Sequence, residues 1–354
     1  MRFVYFSILF LTALLPSVAQ TATNAGLGLP KEPREVFAAA APFYDFSAAE
    51  LKPWHLKATY QLYDEKGQAA DKGNYEYWWA APAVYRSTWT RTSATHTDWH
   101  LADGRFSHQS SGDPLEFFEY KLKGELLSPL PSAADLDPEK FRMERELVSL
   151  GGVKLPCLMV APLMPQYGQL QNIPLGLFPT YCFDPNLPVL RISYSFGTLA
   201  TEYNHVVKLQ NRYLAREIVM YEGTRKLLSA TVDSINYINA SDPALTPTVT
   251  AHMDKIDSAQ QISPAVMSIM LIKKQKPIYP QDAKDARVSG TVKLQAIIGM
   301  DGGVHELRVV SAPWPSLVAS ALWAVSHWQY KPYLLNGEPV DVATTIDVIY
   351  SLDY

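Results

Sequence analysis

Three histidines, His96, His100 and His108, stand at even spacings in a stretch rich in Thr, Trp and Ser. On an extended chain all three project from one side, which is the arrangement a metal site needs. No carboxylate pair accompanies them, so histidines on a sheet surface account for the pattern better and no metal is expected. Asp135, Asp137 and Glu139 have the beginning of a calcium loop but lack its central glycine and closing glutamate, and with Asp137-Pro138 they read as a turn. Ser193 and Ser195 lie in "RISYSFG", a strand-like run without a Gly-x-Ser-x-Gly elbow, and no glycine-rich phosphate loop occurs. No catalytic residue and no cofactor is assigned, and the chain is not expected to be an enzyme.

Cys157 and Cys182 are the only cysteines, and neither has a CxxC neighbour or a nearby histidine, which argues against a redox or metal role. Two readings stand: a disulfide, or two separate buried thiols. The redox compartment bears on the choice. Arg2 precedes an apolar run from Phe3 to Leu15, which ends in Pro16 and the small-x-small Ser17-Val18-Ala19, the order of a secretory signal peptide (residues 1–19). The run is shorter than the roughly 20 residues a spanning helix needs, so cleavage and export to an oxidising compartment are expected. Cleavage after Ala19 removes Arg2, leaving 30 of the 31 basic residues against 35 acidic ones, a net charge of −5 that does not suit nucleic acid.

A length of 354 residues exceeds one typical domain, and 47% hydrophobic residues supply core material for two. Glu35 to Glu50 is Ala-rich and reads as helix. From Trp54 the period changes to two: "HLKATYQLY", "GNYEYWW" and "VYRSTWTRTS" read as strands, with Lys66-Gly67 and Asp103-Gly104 as turns between them. Gly151-Gly152 separates two more strand-like runs and suits a hairpin that needs positive φ. Residues 35–238 therefore read as an antiparallel, β-rich N-terminal domain, a sheet or half-barrel. Residues 239–263 carry proline and turn formers with little periodicity and read as a linker.

Residues 264–354 have a different order. Pro280 starts a helix that Gly290 ends, and Val292 to Ile298 alternates as a strand. Asp301-Gly302-Gly303 turns the chain into a second strand, Val304 to Val310. Pro315 opens a second helix with Leu317, Ala321, Val325 and Trp328 on one face. After the Asn336-Gly337 turn, Val340 to Tyr350 alternates as a last strand. The fold class is α+β, with two helices on a three-stranded antiparallel sheet at this end of the chain.

The features "KPIYP" before a helix with "ARVSG", "TVKLQAIIGMDGGV", "SHWQYKPY" and "NGEPV" before the last strand occur in this order. Together they make residues of about 262–354 resemble the TonB C-terminal domain family, in the form that carries a β-rich N-terminal extension. The resemblance implies a periplasmic location and capture of the TonB box, an extended peptide of an outer-membrane transporter, as a strand beside the last strand. It puts the contact at Val342, Thr344, Ile346, Val348 and Tyr350, flanked by Gln275, Pro277 and Tyr279. Four or five backbone bonds at about 1 kcal/mol net each predict transient gripping. Free edges in such modules also pair with each other, so a weak homodimer is a further expectation.

The energy-transducing members keep a membrane helix and a long Pro-rich spacer, whereas this chain has a cleavable signal and a compact β-domain. Two roles stand, a soluble binder or adaptor and an energy transducer, the second requiring an inner-membrane anchor through an uncleaved signal. The helix and continuous sheet of the N-terminal domain also resemble the half-barrel of periplasmic lipoprotein carriers. That implies a second reading, a lipid or hydrophobic-ligand carrier that uses the TonB-like module for docking, with Trp78, Trp79, Trp89 and Trp99 as candidates for the lining. Intact-mass measurement after cell fractionation is expected to find a mature chain that starts near Gln20 in the periplasmic fraction. An intact Met1 in the inner membrane overturns cleavage.

Overall fold

The computed structural model describes residues 28–64, 66–113, 115–131, 136–163, 178–196, 199–248, 252–254, 259–335 and 338–352. The signal segment, Asp135 and the Asn336-Gly337 turn lie outside the described residues. Among those described, no helix is long and apolar enough to cross a membrane.

Helix α1 (Pro33–Ala40) buries Val36, Phe37 and Ala40. It is shorter than the sequence suggests, because Pro42 has no N–H to continue the ladder and the chain passes into a 3₁₀ turn, Ala41–Phe43. Five strands follow: β1 (Trp54–Tyr63), β2 (Ala69–Ala81), β3 (Val84–Arg91), β4 (Ala94–His100) and β5 (Phe106–Gly112). Helix α2 (Phe117–Leu127) then leads to β6 (Phe141–Leu150), β7 (Val153–Pro162), β8 (Thr180–Phe183), β9 (Leu190–Phe196), β10 (Leu199–Leu209), β11 (Arg212–Glu222) and β12 (Arg225–Tyr237).

These strands form two antiparallel meanders, β1 to β5 and β6 to β12, joined where β1 pairs with β12. Trp54, Leu56, Ala58, Tyr60 and Leu62 alternate inward along β1, and Tyr75, Tyr77 and Trp79 do so along β2. The alternation that marked these runs as strands thus builds the core. Gly151 and Gly152, at φ of +55° and +82°, link β6 to β7 in a conformation that costs glycine little.

Helix α2 lies against the concave face and was not foreseen. The Tyr60 hydroxyl donates to Glu119 at 2.5 Å, Arg91 stands 3.5 Å from the same carboxylate, and the Tyr203 hydroxyl donates to Glu125. One helix is thereby bound to both meanders. Its sequence signal is the capping box, in which Glu116 caps the N-terminus while the Glu119 side chain accepts from the Glu116 N–H.

The 239–263 stretch is structured at both ends. After a 3₁₀ turn at Pro243–Leu245, β13 (His252–Asp254) adds to the β5 edge and completes a 13-stranded sheet. Strand β14 (Gln260–Gln261) joins the second sheet. The C-terminal module continues with α3 (Pro264–Met270), β15 (Leu271–Lys273), α4 (Gln281–Asp285), β16 (Gly290–Ile298), β17 (Val304–Ser311) and α5 (Pro315–Ser326). It closes with β18 (Gln329–Tyr330), β19 (Leu334–Leu335), β20 (Glu338–Pro339) and β21 (Val342–Tyr350). Its sheet has four strands in the order β14-β21-β16-β17, with β14 parallel to β21, instead of the three antiparallel strands expected. Helix α3 is likewise an addition to the two helices foreseen. Leu317, Ala321 and Val325 on α5 are buried, as their spacing requires, against Leu294, Ala296 and Ile346 of the sheet.

Gly302 at the β16–β17 turn has φ of +79°, and a Cβ there would stand 1.9 Å from the Tyr330 carbonyl oxygen. Only glycine lets the turn meet β18 so closely. Cys157 and Cys182 face each other across β7 and β8 and are disulfide-bonded, on the face away from the main core. Replacing both with serine opens a loop of roughly 26 residues, and the chain-entropy account expects a loss of about 3 kcal/mol. Urea unfolding of the double variant tests this, and an unchanged midpoint overturns it.

Candidate functional site

Strand β21 has one paired side and one largely open side. The Gln260 N–H donates to the Asp341 carbonyl at 2.7 Å and the Ile262 N–H to the Ala343 carbonyl at 3.0 Å. Backbone groups alternate sides along a strand, so Asp341, Ala343, Thr345, Asp347 and Ile349 turn theirs outward. Val342, Thr344, Ile346, Val348 and Tyr350 turn theirs toward β16, opposite Ile298, Ala296, Leu294, Val292 and Gly290. These five are also buried, with their side chains against the core. The strand named from sequence has an open edge, and the backbone groups on that edge are those of the residues that alternate with Val342, Thr344, Ile346, Val348 and Tyr350. Past Ala343 no described strand pairs on this side.

Of the flanking residues, Tyr279 sets its ring edge-on to Tyr350 at 5.3 Å and donates its hydroxyl to the Val288 carbonyl. The Gln275 carbonyl accepts from the Trp328 indole at 2.8 Å, and Ser320 of α5 donates to the Ile278 carbonyl. The chain through Pro277 thus runs along α5, and it reaches the end of β21 only at Tyr279.

A second candidate lies at the joint between the two modules. His96, His100 and His108 do project from one side, but that side is the concave face and not the surface expected. His96 is bonded to the Asp113 carbonyl at 2.7 Å, His100 stacks on Tyr85, and His108 is 2.6 Å from Asp98. Asp301 and His305 of the C-terminal module stand 2.9 Å apart. The Tyr120 hydroxyl of α2 donates to Asp301 at 3.2 Å, with the Tyr120 ring 3.4 Å from the His305 ring. Asp301 also accepts the Gly303 N–H, and Asp341 accepts the Met300 N–H at 3.0 Å. Among the described residues no group of three or more such side chains could hold a metal ion.

Burial opposes the Asp301 carboxylate, but the His305 imidazole and the turn N–H hold it below the usual range. Burial pushes Asp341 up and raises Tyr120 well above an ordinary phenol. Beside this joint a cavity of about 1370 Å³ opens between the concave face and the C-terminal module. Trp79 lines it, and Trp89 packs on Tyr75 and Tyr120 in the core below. Trp78 and Trp99 do not line it: Trp78 stacks on His55 and under Arg86, and the Trp99 indole donates to the Ala244 carbonyl on the opposite face. Strand alternation forces that split.

Residues 275–352 match the family model for the Gram-negative bacterial TonB protein C-terminal region. This segment is a TonB C-terminal domain. The chain is similar to the Pseudomonas aeruginosa TonB C-terminal domain at 21% identity, over 24% of this chain and 86% of that one, with a TM-score of 0.22. It is also similar to a LolA superfamily protein from Nitrosomonas europaea, at 7% identity over 61% of this chain and 97% of that one, with a TM-score of 0.35. A Vibrio parahaemolyticus domain described as an outer membrane lipoprotein-sorting protein is similar at 9% identity, over 57% and 91% of the two chains, with a TM-score of 0.34. None of the three TM-scores reaches the level at which a shared fold follows. No curated protein matches the chain. The TonB C-terminal domain thus holds both Asp301, in the β16–β17 turn, and the open edge of β21.

The Asp98–His108 pair gives a pH test of the concave face. Burial opposes both charges, yet their hydrogen bond and attraction prevail, so His108 lies above 6.5 and Asp98 below 3.8. A raised histidine contributes stability that is complete below its unfolded pKa and is lost as pH rises through the folded one. The aspartate's contribution is present above its unfolded pKa and is lost as pH falls through its lowered value. Thermal unfolding should show a decline on the alkaline side that His108→Gln flattens. An identical pH profile in the variant overturns the pairing.

Proposed function

We propose that the TonB C-terminal domain binds an extended peptide, the TonB box of an outer-membrane transporter, by adding it as a strand to the outer edge of β21, and that it does so in the periplasm in support of TonB-dependent transport. The observation that carries this reading is the outward row of Thr345, Asp347 and Ile349 backbone groups, which continues the row that β14 already uses at Asp341 and Ala343. An extended peptide satisfies such groups with its own backbone, whatever its side chains. The 71% exposed Ile349 side chain offers apolar contact at the end of the row. Lys293 and Asp347, 3.6 Å apart on the outer face, place charges that discourage indiscriminate edge pairing. The same edge is where two copies of the chain would pair as a weak dimer.

A second reading, a carrier for a lipid or other hydrophobic ligand, is favoured by the cavity of about 1370 Å³ between the modules. In that reading the peptide edge serves for docking.

Asp347→Pro tests strand addition. Its N–H faces outward, so proline there is tolerated by the fold while it removes a bond and crowds the edge. Binding of a synthetic TonB-box peptide, followed by calorimetry, should weaken about tenfold or more, with Asp347→Asn close to the parent. Ile346→Pro is unsuitable, since the Ile346 N–H faces β16 and the module itself would suffer. Parental affinity in an Asp347→Pro variant whose circular dichroism shows the fold intact removes the strand-addition reading.

A further inference from the structure

The cavity has walls from both modules. Its floor is the concave face with α2, and its roof includes Leu307 and Val309 of β17 with Val318 and Leu322 of α5. Much of the charge on these walls is already paired: Lys121 lies 2.6 Å from Glu125, His108 2.6 Å from Asp98, and His305 2.9 Å from Asp301. What remains for a ligand is largely apolar surface such as Leu127, Leu130 and Val160. The chemistry that fits is a long uncharged hydrocarbon body held by contact area. The volume, about 1370 Å³, exceeds the roughly 1,000 Å³ at the upper end of small-molecule pockets.

The roof meets the first module where α2 faces β17 and where α5 faces β9, and its polar and ring contacts gather on α2. Tyr120 and Phe118, on one turn of α2, meet Asp301, His305 and His327, with the Phe118 and His327 rings 6.2 Å apart. Asp301 is a preset acceptor, because the Gly303 N–H and His305 already fix its carboxylate. Interfaces between domains that rest on a few polar and ring contacts separate more readily than broad apolar ones. Strand β13 stays on the first sheet and β14 on the second, so a module that swings away remains tethered.

We propose that the C-terminal module is the lid of this cavity, latched by Tyr120 against Asp301 and His305, and that an acyl-chain ligand is admitted and released when the latch opens. This rests on the carrier reading. The probe is cis-parinaric acid, a fluorescent acyl chain, with uptake followed by stopped flow on the full chain. Tyr120→Phe keeps the ring and removes the hydroxyl bond, and is expected to take up the probe about tenfold faster. Phe118→Cys with His327→Cys, bridged by a flexible bis-maleimide, is expected to take it up at least about tenfold more slowly than the same protein before bridging. Because the described chain has no free cysteine, only the introduced thiols react. Equal uptake before and after bridging overturns the lid while leaving the carrier reading in place. Absence of probe binding in every form, with circular dichroism intact, overturns the carrier reading and the lid with it.

Discussion

Burying the Glu119 and Glu125 carboxylates in α2 is the constraint on which the rest of the molecule turns. A carboxylate inside a protein needs partners, and leaving one unpaired costs about 3–5 kcal/mol. Tyr60 and Arg91 come to Glu119 from the first meander, and Tyr203 comes to Glu125 from the second. Lying across the concave face gives each carboxylate a partner from a meander, in addition to Lys121 beside Glu125 on the helix itself. The helix then bridges two meanders whose strands pair with each other only at β1 and β12. The same helix delivers Tyr120 and Phe118 to the rim, where the C-terminal module sits.

That module presents two different edges of one small sheet. Strand β17 borders the cavity, while β21 is two strands away with its outer side largely open. In the proposed reading a peptide pairs along Thr345 to Ile349, whereas the cavity reaches this strand only at Asp341, just before its start. The chain also manages its own edges. Strand β13 covers β5, and β14 covers the first residues of the outer side of β21, so that this side of β21 is open only from Thr345 onward.

The concave face carries more chemistry than its sequence suggests. Asp98 stands two residues from both His96 and His100, yet its partner is His108, one strand away. Asp301 and Asp341 arrive from a separate module. The grouping of these side chains is a product of strand pairing and domain docking, and nothing in their linear spacing announces it.

Local features were legible where local physics decides them. Alternation marked β1, β2, β16 and β21, because one face of each is buried. Gly151-Gly152 marked a hairpin because positive φ is cheap only for glycine, and the face of α5 followed from spacings of three and four. The ordered motifs from "KPIYP" onward identified the C-terminal domain. Which backbone groups of β21 lie on its open side was not legible, since a period of two is unchanged when the paired and open sides are exchanged. Nor was α2, whose aromatic and charged residues serve partners on every side and leave no apolar stripe. By itself the sequence determined the strands, the turns and the family of the last quarter of the chain. Tertiary structure alone decided the open edge, the buried carboxylates and the cavity, because each depends on which distant segments are brought side by side.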